Sequence, residues 1–140
     1  MSRNPKVEQL RKIPLFDHCS KRELAGLAAL VDELELPEGQ TLAREGERGK
    51  EFLVLADGIA DVASDGEVVN RLGPGDFFGE ISLLEGGPRT ATVSAATEIR
   101  LLALTAWVFQ RIVAQNPKIA SKMLKVMAQR LRTSARNLTD

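Results

Sequence analysis

One cysteine, Cys19, and one histidine, His18, serve the whole of this 140-residue chain, and they are sequence neighbours. A lone cysteine excludes an internal disulfide framework and a multi-thiolate metal or iron–sulfur site. Adjacent side chains point in different directions on any regular element, so His18 and Cys19 do not converge on a ligand. No second histidine completes a triad or a metal set, and residues 32–105 contain no histidine at all. A metal-dependent β-barrel enzyme needs several His and carboxylate ligands on inward strand faces. The chain therefore reads as non-enzymatic, with no metal and no catalytic cofactor. No apolar run approaches the roughly 18 residues of a spanning helix, and the opening MSRNPKVEQLRK has no apolar signal core. These absences favour the cytoplasm and exclude a membrane span.

Net charge is absent too: 19 Lys and Arg balance 19 Asp and Glu. The distribution is uneven. Residues 13–116 hold 9 basic against 17 acidic side chains, whereas 117–140 hold six basic ones (Lys118, Lys122, Lys125, Arg130, Arg132, Arg136) against Asp140. The acidic middle argues against nucleic acid there, because phosphate backbones require basic surfaces. The basic C-terminal run reads first as the solvated face of a helix, and second as a partner-docking surface.

What is present suits one domain over 1–140, with ordinary hydrophobic (44%) and charged (27%) content and enough length for a core. Residues 1–31 form a helical segment, in which Ser20 and Glu23 make a capping-box pattern at the head of a helix over 20–31. Leu24, Leu27 and Leu30 or Val31 follow at helical spacing. From Asp32 to Thr105 glycine-marked turns alternate with short Val, Leu, Ile and Thr-rich segments, which predicts a mainly β antiparallel sandwich or barrel. Asp65-Gly66 predicts a two-residue hairpin. Glu33/Glu35 and Glu45/Glu47 read as solvated carboxylates on one face of their strands.

Residues 106–140 then predict two helices. Thr105 caps the first, which is apolar at Trp107, Val108, Ile112 and Val113, and Asn116-Pro117 opens the second at its first position. That last helix carries one apolar stripe at Ala120, Leu124, Met127, Leu131 and Ala135, and an adjoining row at Ile119, Met123 and Val126. Met123 and Met127 read as packed core rather than as an adaptable binding stripe.

The most informative stretch is Phe77–Ala95, FFGEISLLEGGPRTATVSA. Gly79 and Glu80 open an apolar helical turn, and Arg89 follows a Gly86-Gly87-Pro88 turn nine residues after Glu80. Arg89 can present a planar fork of donors to two phosphate oxygens. The unpaired N–H groups of the turn would face an anion, with Gly79 allowing close approach. Glu80, acceptor-only when ionised, can take the proton of a ribose 2′-hydroxyl. Each part suits a cyclic phosphodiester joined to a ribose.

This stretch resembles the phosphate-binding cassette (residues 78–91) of the cyclic nucleotide-binding domain family, and the resemblance runs from about Leu15 to Leu131. It implies an eight-stranded antiparallel β-roll of the jelly-roll kind, flanked by an N-terminal helix and two C-terminal helices. It also implies a sensor of a 3′,5′-cyclic purine nucleotide. Arg89, Thr90 and backbone donors around Gly79, Ile81 and Ser82 would hold the phosphate, and Glu80 the ribose. Val62 and Val69 match positions that wall the base pocket. Counted from Asn116-Pro117, Ser134 falls where bacterial catabolite activators offer the adenine a hydroxyl. Thr90 does not decide between adenine and guanine; the C-terminal similarity leans to cAMP, with cGMP open.

Bacterial transcription factors on this domain continue into a helix-turn-helix, for which the 140 residues leave no room. The family uses the last helix as a lid or as a dimer helix. Leu124, Met127, Leu131 and Leu138 form a short heptad-like seam, through which the chain would form a homodimer or meet an effector protein. The competing reading is a degenerate roll that binds no ligand and serves as an interaction or dimerisation module, against which stands the intact Glu80 and Arg89 pair.

Overall fold

The computed structural model describes the backbone of residues 5–139 and the side chains of 5–133. The chain begins with Pro5–Arg11 (α1), a 3-10 turn at Pro14–Phe16, and Lys21–Ala28 (α2). The expected capping box is formed: the Glu23 N–H donates to Ser20 Oγ at 3.1 Å, and the Ser20 N–H to Glu23 Oε1 at 2.9 Å. The helix is shorter than the 20–31 span that the spacing predicts. Asp32 already pairs with Ala103, so the chain must unwind after Ala28. Val31 turns into the core while Leu30 stays half exposed.

Eight antiparallel strands follow in two sheets. In chain order they are Asp32–Leu36 (β1), Thr41–Ala43 (β2), Glu51–Asp57 (β3), Ala60–Ser64 (β4), Glu67–Leu72 (β5), Phe77–Phe78 (β6), Thr92–Ala95 (β7) and Ile99–Thr105 (β8). One sheet runs β1-β8-β3-β6 and the other β2-β7-β4-β5. The predicted hairpin joins β4 to β5, with Ser64 opposite Glu67 and positive φ at both Asp65 (52°) and Gly66 (82°), the type I′ geometry.

Two apolar cores explain why β3 and β8 lack the polar alternation of a half-exposed strand. Leu53, Leu55, Leu101, Ala103 and Phe78 point into the roll, against Ala60, Leu72, Val93 and Ala95 of the facing sheet. Their neighbours Phe52, Val54, Leu102, Leu104 and Phe77 point the other way, against the helices. Phe52 stacks on both Phe77 and Phe109, with ring centroids 5.5 and 4.7 Å apart.

The C-terminal helices are Ala106–Gln115 and Pro117–Thr139; with the short helix Glu80–Glu85 between β6 and β7 (α3), they become α4 and α5. Thr105 caps α4, accepting the Val108 N–H at 3.4 Å. Trp107 is not part of the buried face as its spacing suggests: it is 62% exposed, with the Arg111 guanidinium 4.8 Å over its ring. The two stripes of α5 separate. Ile119 and Met123 are buried, and Val126 and Met127 pack against them, whereas Leu124 (64%) and Leu131 (71%) face solvent.

Glu33, Glu35, Glu45 and Glu47 are all solvent-exposed, as expected, but only one pair lies on a strand. Glu33 and Glu35 lie on β1 and flank Arg100, at 3.7 and 3.2 Å. Glu45 and Glu47 lie beyond the end of β2, in the turn leading to β3, because the chain leaves the sheet after Ala43 to pass beside the cassette.

Candidate functional site: the cassette between β6 and β7

Phe77 and Phe78 pin the start of the cassette by facing the two cores, which fixes where Gly79 and Glu80 emerge. Gly79 has φ of 94°, a conformation that L side chains rarely adopt, and caps α3. A Cβ there would collide with Arg89 Nη1 and sit 2.8 Å from the Glu51 carbonyl oxygen. Gly49 closes the other side: a Cβ on it would lie 2.6 Å from Arg89 Cζ and 2.9 Å from Ser82 Oγ. The guanidinium of Arg89 is thus threaded between two backbone segments that only glycine allows.

Its main chain is held as firmly. The Arg89 N–H donates to Glu47 O at 2.7 Å, and the Gly46 N–H to Arg89 O at 2.9 Å. Arg89 Nη2 donates to Glu51 O at 3.1 Å, while the buried Nη1 has no partner among the described residues. Ser82 is a bracket rather than a free hydroxyl. It accepts the Gly49 N–H at 3.1 Å and donates to Gly87 O at 2.6 Å, tying α3 to the β2–β3 segment and to the turn before Arg89.

Glu80 is 3% exposed. Its Oε1 accepts from Arg130 Nη1 of α5 at 3.2 Å, while Oε2 is buried without a partner among the described residues. Arg130 also donates from Nη2 to Phe77 O at 2.6 Å and lies 4.8 Å over the Phe77 ring. Burial pushes the Glu80 carboxyl above its ordinary value, opposed by its own backbone N–H and by the charges of Arg130 and Arg89. Burial likewise pushes the Arg89 guanidinium below its ordinary value, opposed by Glu51 and Glu80. Among the described residues the cassette therefore holds an unsatisfied cationic donor, Arg89 Nη1, and an unsatisfied carboxylate oxygen, Glu80 Oε2, each costly to leave unpaired. An anion that carries a hydroxyl would satisfy both.

The structure gathers Gly79, Glu80, Ser82 and Arg89. Ile81 is 38% exposed on α3, and Thr90 is exposed just before β7. Val62 packs against the roll interior, opposite Val93, whereas Val69 is 56% exposed at a bulge in β5. The side chains of Ser134 and Leu138 lie outside the described residues. Sequence reasoning missed Gly49, the Glu51 carbonyl and Arg130. The basic run of α5 is not simply a solvated face, because Lys122 reaches Pro14 O at 2.7 Å and pairs with Asp17, and Arg130 reaches the cassette. A signal for Arg130 existed. It continues the buried row of 119, 123 and 126 at spacings of 4, 3 and 4, which places it inward.

A cavity of about 340 Å³ between α2, α4 and the start of α5 is lined by Leu27, Leu30, Trp107 and Ile119 among others, and includes no cassette residue. Among the described residues no cluster of three His, Cys, Asp or Glu side chains can hold a metal ion, and no helix is long and apolar enough to cross a membrane.

Known proteins agree with this geometry. The family model for the cyclic nucleotide-binding domain matches residues 33–116. The CRP-like cAMP-activated global transcriptional regulator of Mycobacterium tuberculosis is 30% identical over 138 residues, covering 95% of this chain and 62% of that protein. A cyclic nucleotide-gated potassium channel of Rhizobium etli is 37% identical over 118 residues, covering 84% of this chain and 33% of the channel. The chain thus spans less than two thirds of these relatives. Among solved structures, cAMP-bound PfPKA-R superposes with a TM-score of 0.85 at 25% identity, covering 93% of this chain and 45% of that one. The Thermus thermophilus catabolite activator protein gives 0.78 at 27% identity, covering 90% and 62%. The domain family is one of regulatory, non-catalytic sensors, found in CRP-like regulators and in cAMP-dependent protein kinase regulatory subunits. The chain belongs to the cyclic nucleotide-binding domain family.

Proposed function

We propose that this chain binds cAMP, in preference to cGMP, and relays its occupancy through α5 to a second copy or an effector protein in the cytoplasm. The single observation that carries the reading is the pair of buried cassette atoms without partners among the described residues, Arg89 Nη1 and Glu80 Oε2. Arg89 takes the phosphate oxygens, with the Thr90 hydroxyl and backbone donors around Gly79, Ile81 and Ser82. Glu80 accepts from the ribose 2′-hydroxyl through Oε2. Val62 and Val69 wall the base, and Ser134 offers the adenine a hydroxyl. The cAMP-activated regulator among the relatives and the cAMP-bound structural neighbour support the choice of nucleotide.

The relay has a physical basis in Arg130. A ligand hydroxyl donating to Oε2 favours the ionised form of Glu80, and an ionised Glu80 holds Arg130 more tightly. Occupancy thereby strengthens the attachment of α5 to the roll. Exposed Leu124 and Leu131, on the stripe adjoining the buried row of Ile119 and Met123, are available to a partner. Calorimetric titration with cAMP and cGMP tests the ligand, and hydrogen exchange across residues 117–133 tests the relay. Protection there should rise with cAMP; identical protection with and without it would remove α5 from the signal path.

A further inference from the structure

The strand register puts a side chain on the inner face of the roll that the reading above does not use. β4 pairs with β5 as Ala60↔Leu72, Asp61↔Arg71 and Val62↔Asn70. Directly opposed residues share a face and successive residues alternate. Leu72 is buried in the roll interior, and Arg71 pairs with Asp61 on the outer face at 2.9 Å, so Asn70 returns to the inner face. It stands in one row with Val62 and with Val93, which is 4% exposed. Val93 lies four residues beyond Arg89, and β5 lies two strand spacings, about 10 Å, across from β7. The bulge at Val69 interrupts pairing at this point, leaving Val62 opposite Asn70 and Ala63 opposite Val68. Asn70 is solvent-exposed; its Oδ1 accepts the Arg71 N–H at 2.8 Å, and its Nδ2 has no partner among the described residues.

Resting on the cyclic-nucleotide reading, we infer that Asn70 reads the base, and that it selects adenine. A carboxamide matches the adenine N6/N7 edge with two bonds: Oδ1, which has a second lone pair free, accepts from the 6-amine, and Nδ2 donates to N7. The same edge of guanine shows two acceptors, O6 and N7, so Oδ1 would face O6 without a proton between them.

The test is calorimetric titration of the wild type, Asn70→Leu and Asn70→Asp with four ligands. These are cAMP, cGMP, 7-deaza-cAMP and the 3′,5′-cyclic monophosphate of unsubstituted purine riboside. The wild type should prefer cAMP over each of the other three by about tenfold. Asn70→Leu, at an exposed position, should keep the fold and bring cAMP and the two adenine analogues within about twofold of one another. Asn70→Asp keeps an acceptor for the amine and loses the donor, so it should retain the 6-amine preference and lose that for N7. A wild type that binds cAMP with ratios unmoved in both variants overturns the role of Asn70 alone. A wild type that binds none of the four overturns the cyclic-nucleotide reading, and this inference with it.

Discussion

Arg89→Ala separates a binding role from a structural one, because the two make opposite demands on stability. Among the described residues of the free protein the guanidinium has one main-chain bond, Nη2 to Glu51 O, and one buried Nη1 donor without a partner. Losing the first costs about 1 kcal/mol, and removing the second relieves about 1–3 kcal/mol of unsatisfied burial. The terms oppose each other, so the free variant should be unchanged or up to about 2 kcal/mol more stable in urea. Binding has no such offset. Removing one partner of a desolvated charged contact costs about 2–5 kcal/mol, so cAMP affinity should fall roughly 30-fold or more. Calorimetry gives the affinity, and urea unfolding followed by circular dichroism gives the stability. Affinity within threefold of the wild type would refute the placement of the phosphate. A large loss of stability with unchanged affinity would make Arg89 a structural residue.

Glu80→Gln should narrow the preference for cAMP over 2′-deoxy-cAMP, and an unchanged ratio would remove Glu80 from the ribose. The raised carboxyl of Glu80 keeps its proton in the folded state to higher pH than in the unfolded state. Free wild-type stability relative to Glu80→Gln should therefore fall as pH rises from the ordinary carboxylate range through the raised value, then level off. Affinity for cAMP should rise over the same window, because the ribose hydroxyl donates to the ionised form; parallel trends would contradict this. Arg130→Met strips Glu80 Oε1 and Phe77 O of their donor, and with a partly exposed guanidinium the expected loss is about 1–3 kcal/mol in the free protein. Hydrogen exchange should show faster opening across α5, and unchanged exchange would exclude the attachment. Phe52→Ala, in contact with both Phe77 and Phe109, should cost about 3–5 kcal/mol in urea unfolding.

Local rules were enough for the elements that local chemistry decides. Ser20 and Glu23 cap α2, Asp65-Gly66 turns the hairpin, and Pro117 opens α5. The cassette was legible because glycine, carboxylate, proline and arginine sit within one short segment. What escaped depends on contacts distant in sequence. Gly49 matters because it faces Arg89 forty residues later, and nothing beside Gly49 says so. Arg130 lies fifty residues from Glu80 and looks, by composition, like one more surface cation. Trp107 shows the converse failure: its spacing suits an inward face, yet the ring is stacked under Arg111 in solvent.

Calorimetric titration of the purified wild-type chain with cAMP and cGMP tests the central claim most directly. Saturable binding at one site per chain, tighter for cAMP than for cGMP, is the expected result. No heat of binding with either nucleotide, from a protein that unfolds cooperatively, would contradict the account and leave a roll that binds no cyclic nucleotide.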